Sequence, residues 1–419
     1  MVLKGQFEFD ICVSNFTFEN NTFCFYLAEE SADNGDSAKI THKTSQLCHC
    51  PACTIPSKKY VTNLEFFSYH ILLQYKRVNS FTCLKIFLDA LKEGKTWNNA
   101  QEEARKLGYI DSPSPRIISY IQRALLYFKS CDYKQVIEFA LQAYSKLLSK
   151  IDILHNSMGH QKELLEALVQ NNWYDQSQFD RISQDQVGVN RIKFQGRDVR
   201  KFILYFENWR SAKNNLLVEQ SDLLETYHIR YREIYWIFYQ SSGLQSQKEF
   251  QVYFEFAVFD LFTILQKFPD QFKIRSIYSH GHFHMTGDYS QTTLVGGCTE
   301  QGEQVNSRFK PITKICSNDI QNAFLHFFEK ESINTEKFEK IENIQSELKK
   351  FIKETNYQFA DFELEFPSDN RDCLAFLEIL ENRYQDNQDL FEIVKDELTI
   401  TVKSKASVFM NNYLKTHNI

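Results

Sequence analysis

The sequence predicts an α+β protein that is predominantly helical, and three observations carry that expectation. Glycine and proline are scarce, 13 and 7 in 419 residues, which favours long regular elements over a loop-built β protein. Apolar residues recur at helical spacing through much of the chain beyond residue 80. Apolar and polar residues alternate most clearly in the first 28 residues, where period two reads as strand. A chain this long is expected to hold more than one domain. Residues 1–80 are expected to form a β-hairpin and Cys-rich module, 81–170 a helix-turn-helix and helical domain, and 190–419 an aromatic-rich C-terminal domain.

In order, Phe7, Phe9, Ile11 and Val13 alternate with polar residues, then Phe16 and Phe18, and after Asn20-Asn21, Phe23 and Phe25. That is a β-hairpin around an Asn-Asn turn. The step from Val13 to Phe16 slips the alternation by one residue, which predicts a bulge near Ser14-Asn15. A polar loop follows, and then Cys48-His-Cys50-Pro-Ala-Cys53. Cys-x-x-Cys is the spacing by which two thiolates grip one tetrahedral zinc. The expected structural zinc site is Cys48, Cys50, Cys53 and His42, with His49, Cys12, Cys24, His70 and Cys83 as other donors in reach of the sequence. Unmetallated thiols are the alternative reading. A redox role has no βαβ pattern to frame it.

Tyr60 to Asn79 carries apolar residues at helical spacing. Three short amphipathic helices then follow between Phe81 and Phe128. Leu84, Phe87, Leu88 and Leu91 form the first stripe, Trp97, Ala100, Ala104 and Leu107 the second, and Ile117, Ile121 and Leu125 the third. Gly94 and Gly108 fall at the junctions, where glycine takes the left-handed turn, and Ala104 is small enough for a close helix crossing. In a helix-turn-helix the third helix enters the major groove. Arg116, Ser119, Tyr120 and Arg123 are then placed to reach bases, and Lys95, Arg105 and Lys106 to reach phosphates. A structural three-helix bundle is the competing reading.

The Cys50-Pro-Ala-Cys53 knuckle, the segment Tyr75-Lys-Arg77 and Leu91-Lys-Glu-Gly-Lys-Thr-Trp-Asn-Asn-Ala100 with Ala104-Arg-Lys-Leu-Gly108 together resemble the N-terminal region of bacterial insertion-sequence transposases. The resemblance spans about residues 45–130. It implies a zinc ribbon followed by a helix-turn-helix that grips a DNA end. The ribbon's second cysteine pair is missing, and the acidic triad of a transposase nuclease has no counterpart beyond residue 130, so nuclease activity is not implied.

Cys131 to Lys150 and Lys162 to Val169 read as helical, and the polar stretch from Asn171 to Gly196 as a domain boundary. Leu216 to Tyr239 predicts a long helix, whereas Glu249 to Asp260 fits a buried strand or a buried helix equally. His280, His282 and His284 alternate, so on a strand they would share one face as a metal triad, with Asp288 or Asp260 beside them. Ser317 to Lys330 and the stripe Phe338, Ile341, Ile344, Leu348 and Phe351 predict further helices. The acidic block from Asp361 to Glu397, with Leu374, Leu377, Leu380 and Phe391 as its buried face, reads as a helical, partner-binding end.

Charge separates along the chain. With 48 basic and 54 acidic residues the net charge is -6. Residues 54–130 carry 12 bases and 6 acids, so 12 − 6 = +6, and residues 361–397 carry 3 bases and 12 acids, so 3 − 12 = −9. A polyanion would therefore sit on the first stretch. Ten scattered cysteines do not suggest a disulfide framework. The first residues lack the apolar run of a signal peptide, and no stretch offers the roughly 18 apolar residues of a membrane span. The sequence is thus expected to belong to an intracellular protein with no membrane partner. The leading expectation is a DNA-binding protein of a mobile-element or larger nucleoprotein system. A non-catalytic protein–protein adaptor and a metal-dependent hydrolase centred on His280–His284 are the alternatives.

Overall fold

The long helix expected from residue 216 forms, at Val218–Gln240, in a computed structural model. The structure describes residues 14–18, 21–25, 29–31, 53, 70, 89–90, 93–96, 98–99, 102–103, 148–174, 183–186, 189–192, 196–209, 216–240, 247–267, 276–289 and 340–419. Contacts divide the chain into two units: Met1–Val61 with Gln74–Asp152, and Thr62–Leu73 with Ile153–Ile419.

In the first unit, β1 (Ser14–Phe18) and β2 (Asn21–Phe25) form the expected antiparallel hairpin, with Phe16 opposite Phe23. The pairing runs unbroken from Ser14 to Phe18, so the slip in alternation is not a bulge at Asn15. β3 (Glu29–Ser31) pairs in parallel with β4 (Leu148–Lys150). Leu148–Lys150, expected at the end of a helix, is therefore strand, while residues 131–147 lie outside the described residues. Gly94 does turn left-handed, at φ +79°. The Lys95 N–H returns to the Ala90 carbonyl at 3.1 Å, the bond that closes a helix on a left-handed glycine. Thr96 Oγ1 then accepts from the Asn99 N–H at 3.4 Å, as an N-cap does.

The second unit has eight described helices: α1 (Ile153–Gln170), α2 (Gly196–Leu204), α3 (Val218–Gln240), α4 (Lys248–Gln266), α5 (Ser276–Tyr289), α6 (Lys340–Thr355), α7 (Arg371–Arg383) and α8 (Ala406–Thr416). A small antiparallel hairpin, β5 (Ser183–Gln186) with β6 (Val189–Ile192), lies between α1 and α2 in sequence. Every residue from Arg230 to Gln240 in α3, and from Val252 to Phe259 in α4, is buried. Helices with no wet face lie inside a protein; residues 249–260, open between strand and helix in the sequence, lie within α4. The α1–α5 contact is close enough to require glycine on both sides. A Cβ on Gly159 would lie 2.2 Å from the Tyr278 ring, and one on Gly281 would lie 2.3 Å from Asn156 Oδ1. Among the described residues no helix is long and apolar enough to cross a membrane.

The acidic C-terminal block is not all helical. It folds as β7 (Phe362–Pro367), α7, a 3-10 turn, β8 (Phe391–Lys395), β9 (Thr399–Ser404) and α8, with sheet order β7-β9-β8, all antiparallel. Phe362, Leu364 and Phe366 alternate with Glu363 and Glu365, a period of two that puts the first set inward and the acids outward. On α7, Leu377 and Leu380 are buried as expected, while Leu374 is 49% exposed. Asn370 caps α7, accepting from the Asp372 and Cys373 N–H groups at 3.0 and 3.1 Å. Ile344, Leu348 and Phe351 form the buried stripe of α6. The helix expected at Ser317–Lys330, and Phe338, lie outside the described residues.

Candidate functional site

α1, α3 and α5 bring polar side chains into an otherwise apolar core. Tyr227 and Tyr231 are one turn apart on α3, His160 and Asn156 one turn apart on α1, and all four are buried with His282 of α5. His160 Nε2 and the Tyr227 hydroxyl are 2.5 Å apart, and Gln161 Nε2 donates to the same hydroxyl at 3.1 Å. Burial, and then the neighbouring His282, hold the His160 pKa well below the ordinary histidine value. A neutral His160 accepts the one proton that Tyr227 has to give. Burial, followed by Tyr231, raises the Tyr227 pKa, so the phenol keeps its proton.

His282 is oriented from both ends. Its Nδ1 lies 2.8 Å from the Tyr278 carbonyl oxygen, which can only accept, so Nδ1 carries the proton. Nε2 is then the acceptor for the Tyr231 hydroxyl at 3.0 Å. Asn156 Nδ2 donates to the Tyr278 carbonyl at 2.9 Å. The His160 ring stacks on Tyr231 with centroids 5.2 Å apart and meets His282 edge-on at 5.1 Å. A second pair, Tyr174 and His228, joins at 2.7 Å, with His228 stacked on Phe206 at 4.2 Å.

The three alternating histidines therefore do not line one face. They lie on α5, not on a strand, and a helix turns about 100° per residue. His280 and His284 fall on the same side, their ring centroids 4.3 Å apart, while His282 faces the tyrosines. The periodicity alone was compatible with either element, and burial within a helical core decided it. His280 and His284 are both buried and present ligand atoms within 4.8 Å of each other, so the pair can contribute to holding a metal ion.

On the other side of α3, a charged cluster is assembled. Arg230 Nε donates to Asp260 at 2.8 Å, and Nη1 donates to Glu233 at 3.0 Å. Nη2 donates to the Asp361 carbonyl at 2.8 Å, and the guanidinium lies 3.7 Å above the Phe362 ring centroid. Burial alone would lower the Arg230 pKa, but Glu233, Tyr253 and Asp260 more than reverse this and raise it. Nearer the surface, His70 Nδ1 lies 2.9 Å from Asp372 Oδ1, and Gln266 holds the other oxygen at 3.0 Å.

Of the residues expected to contact DNA, only Lys95 is described. Its ammonium lies 2.7 Å from Glu103 and 2.8 Å from Glu93, and these carboxylates, Glu103 first, raise its pKa. Arg105, Lys106, Arg116, Ser119, Tyr120 and Arg123 lie outside the described residues, as do Cys48, Cys50 and His42. Cys53 is buried. Sequence reading passed over Asn156, His160, Tyr227, Tyr231, Arg230 and Glu233. For the last two there was a signal, since charges within a helix that is otherwise aromatic and apolar must find partners. No protein-family model, curated protein or solved structure matches this chain.

Proposed function

We propose that the chain is a non-catalytic docking subunit, and that its C-terminal sheet receives an extended, basic segment of a protein partner along β8. The observation that carries this reading is the outer face and free edge of the sheet. Glu363 of β7 and Glu392 of β8 flank Lys403 of β9, and Glu365 and Val394 flank Thr401. Lys403 lies 3.0 Å from Glu363, so three glutamates share one lysine on that face. Val394 and Leu398 beside them are 46% and 77% exposed. Among the described residues β8 pairs with β9 alone, leaving its outer edge as a template for another strand. β7, the opposite edge, ends on Pro367, which removes a donor. A hollow of about 600 Å³ runs beside β8, lined by Glu381, Asp389, Glu392 and Ile393, with Lys395 and Lys405 also on its wall. Its carboxylates are placed for lysine or arginine side chains of an added strand.

A fluorescent peptide alternating Val and Lys should bind the full chain by anisotropy, and its Val-Glu counterpart should not. Asp389→Lys with Glu392→Lys should weaken the basic peptide about tenfold, as like charges do at an interface. N-methylation of alternate peptide bonds should abolish binding by removing the main-chain bonds. Equal binding of the two peptides, or indifference to N-methylation, refutes the docking mode.

The charge separation favours a second reading, DNA binding through residues 81–170. The left-handed Gly94 and the Thr96 cap support a helix–turn–helix start there. With about five bases on phosphates, log affinity should fall with log salt at a slope of roughly −4. Arg116→Ala or Arg123→Ala should cost about 1–3 kcal/mol of binding. A slope near zero removes this reading. In either case the zinc expected on Cys48, Cys50, Cys53 and His42 has a structural role, holding the N-terminal module together.

A further inference from the structure

We infer that His280 and His284 are two imidazole ligands of a divalent transition-metal ion of the zinc class. The helical setting makes the pair. Residues four apart on a helix stand one above the other, and the two rings lie with centroids 4.3 Å apart and planes at 81°. Their ligand atoms are within 4.8 Å of each other, a spacing that a small rotation of either ring closes onto one ion. The side chains are 0% and 4% exposed, so a metal there would sit in a dry shell, with Phe283 lying 6.3 and 5.8 Å from the two rings. The donors are neutral nitrogens, which suit zinc, copper or nickel and not the hard calcium or magnesium ions. His282 supplies the internal control. It stands on the opposite face, committed to Tyr231 and the Tyr278 carbonyl, and is excluded from the site.

The test uses the full chain, stripped with chelator and reloaded with cobalt(II), whose visible absorption reports a low-symmetry ligand field. Wild type should bind cobalt and, after zinc reloading, retain the metal through desalting. His280→Asn and His284→Gln should each lose one equivalent and the visible band, with far-UV circular dichroism unchanged. His282→Gln should keep both. If the histidine variants do not fold, X-ray absorption on zinc-loaded wild type should show the multiple scattering of imidazole ligands. Metal content unaffected by both histidine variants, a wild type that binds no metal, or a metal spectrum without imidazole scattering would overturn the assignment.

Discussion

Glu233→Ala is expected to destabilise the second unit by about 3–5 kcal/mol, the cost of removing one partner from a buried, hydrogen-bonded ion pair. Glu233 is 1% exposed. One carboxylate oxygen accepts from Tyr357 at 3.1 Å and the Ala360 N–H at 2.9 Å. The other accepts from Tyr253 at 2.6 Å and Arg230 at 3.0 Å. Truncation leaves a guanidinium that is 7% exposed with Asp260 as its remaining carboxylate, takes the acceptor from Tyr357 and leaves Tyr253 only the Ala360 carbonyl. The residues tied down this way, Tyr357 and Ala360, lead into β7, so the loss should reach the C-terminal sheet as well as α3. Urea denaturation followed by tryptophan fluorescence and by far-UV circular dichroism would measure it. Lys403→Ala is the comparison, because its pair with Glu363 is on the surface and such pairs contribute little. Similar losses from both variants would mean that the Arg230–Glu233 cluster does not anchor the C-terminal segment.

Phe376→Ala is expected to cost a further large amount, about 3–5 kcal/mol, by the cavity rule for buried aromatics. Its ring is 0% exposed. It stacks on Phe259 with centroids 4.1 Å apart and meets Phe256 edge-on at 5.3 Å, so it joins α7 to the central helix α4. Phe376→Leu keeps most of the volume and should cost distinctly less. Leu374→Ala, two residues away and half exposed, should change stability within about 0.5 kcal/mol. Equal effects at positions 374 and 376 would show that α7 does not use this face against α4.

Much of the helical framework was legible because its signal is local. The stretches 162–169 and 344–351 needed only spacing and lie within helices, as does 216–239 but for its first two residues. Phe16, Phe18, Phe23 and Phe25 likewise foretold the hairpin, and Gly94 its left-handed turn, since no other residue takes that turn so cheaply. The misreadings share a cause. His280-Gly-His-Phe-His284 alternates as a strand would, yet its sides are all covered, so alternation no longer distinguishes wet from dry. In the acidic block the leucines of α7 drew attention to period 3.6 and hid the period-two run Phe362-Glu-Leu-Glu-Phe366 beside it.

The sequence by itself determined the helices at residues 162–169, 218–239 and 344–351 and the N-terminal hairpin, that acidic charge collects near the C-terminus, and which residue types are available for ligation. Those properties follow from backbone sterics, side-chain spacing and charge, all of which act over a few residues. Only the tertiary structure decided that His282 belongs with Tyr231 while His280 and His284 form a pair. Burial of α5 among α1, α3 and α4 forces the helix, and the helix fixes the faces. It also decided that Arg230 and Glu233, one turn apart, meet Tyr253, Asp260 and Ala360 from elements 20 to 130 residues away. A buried charge must be compensated, but nothing local to it specifies from where the partner comes.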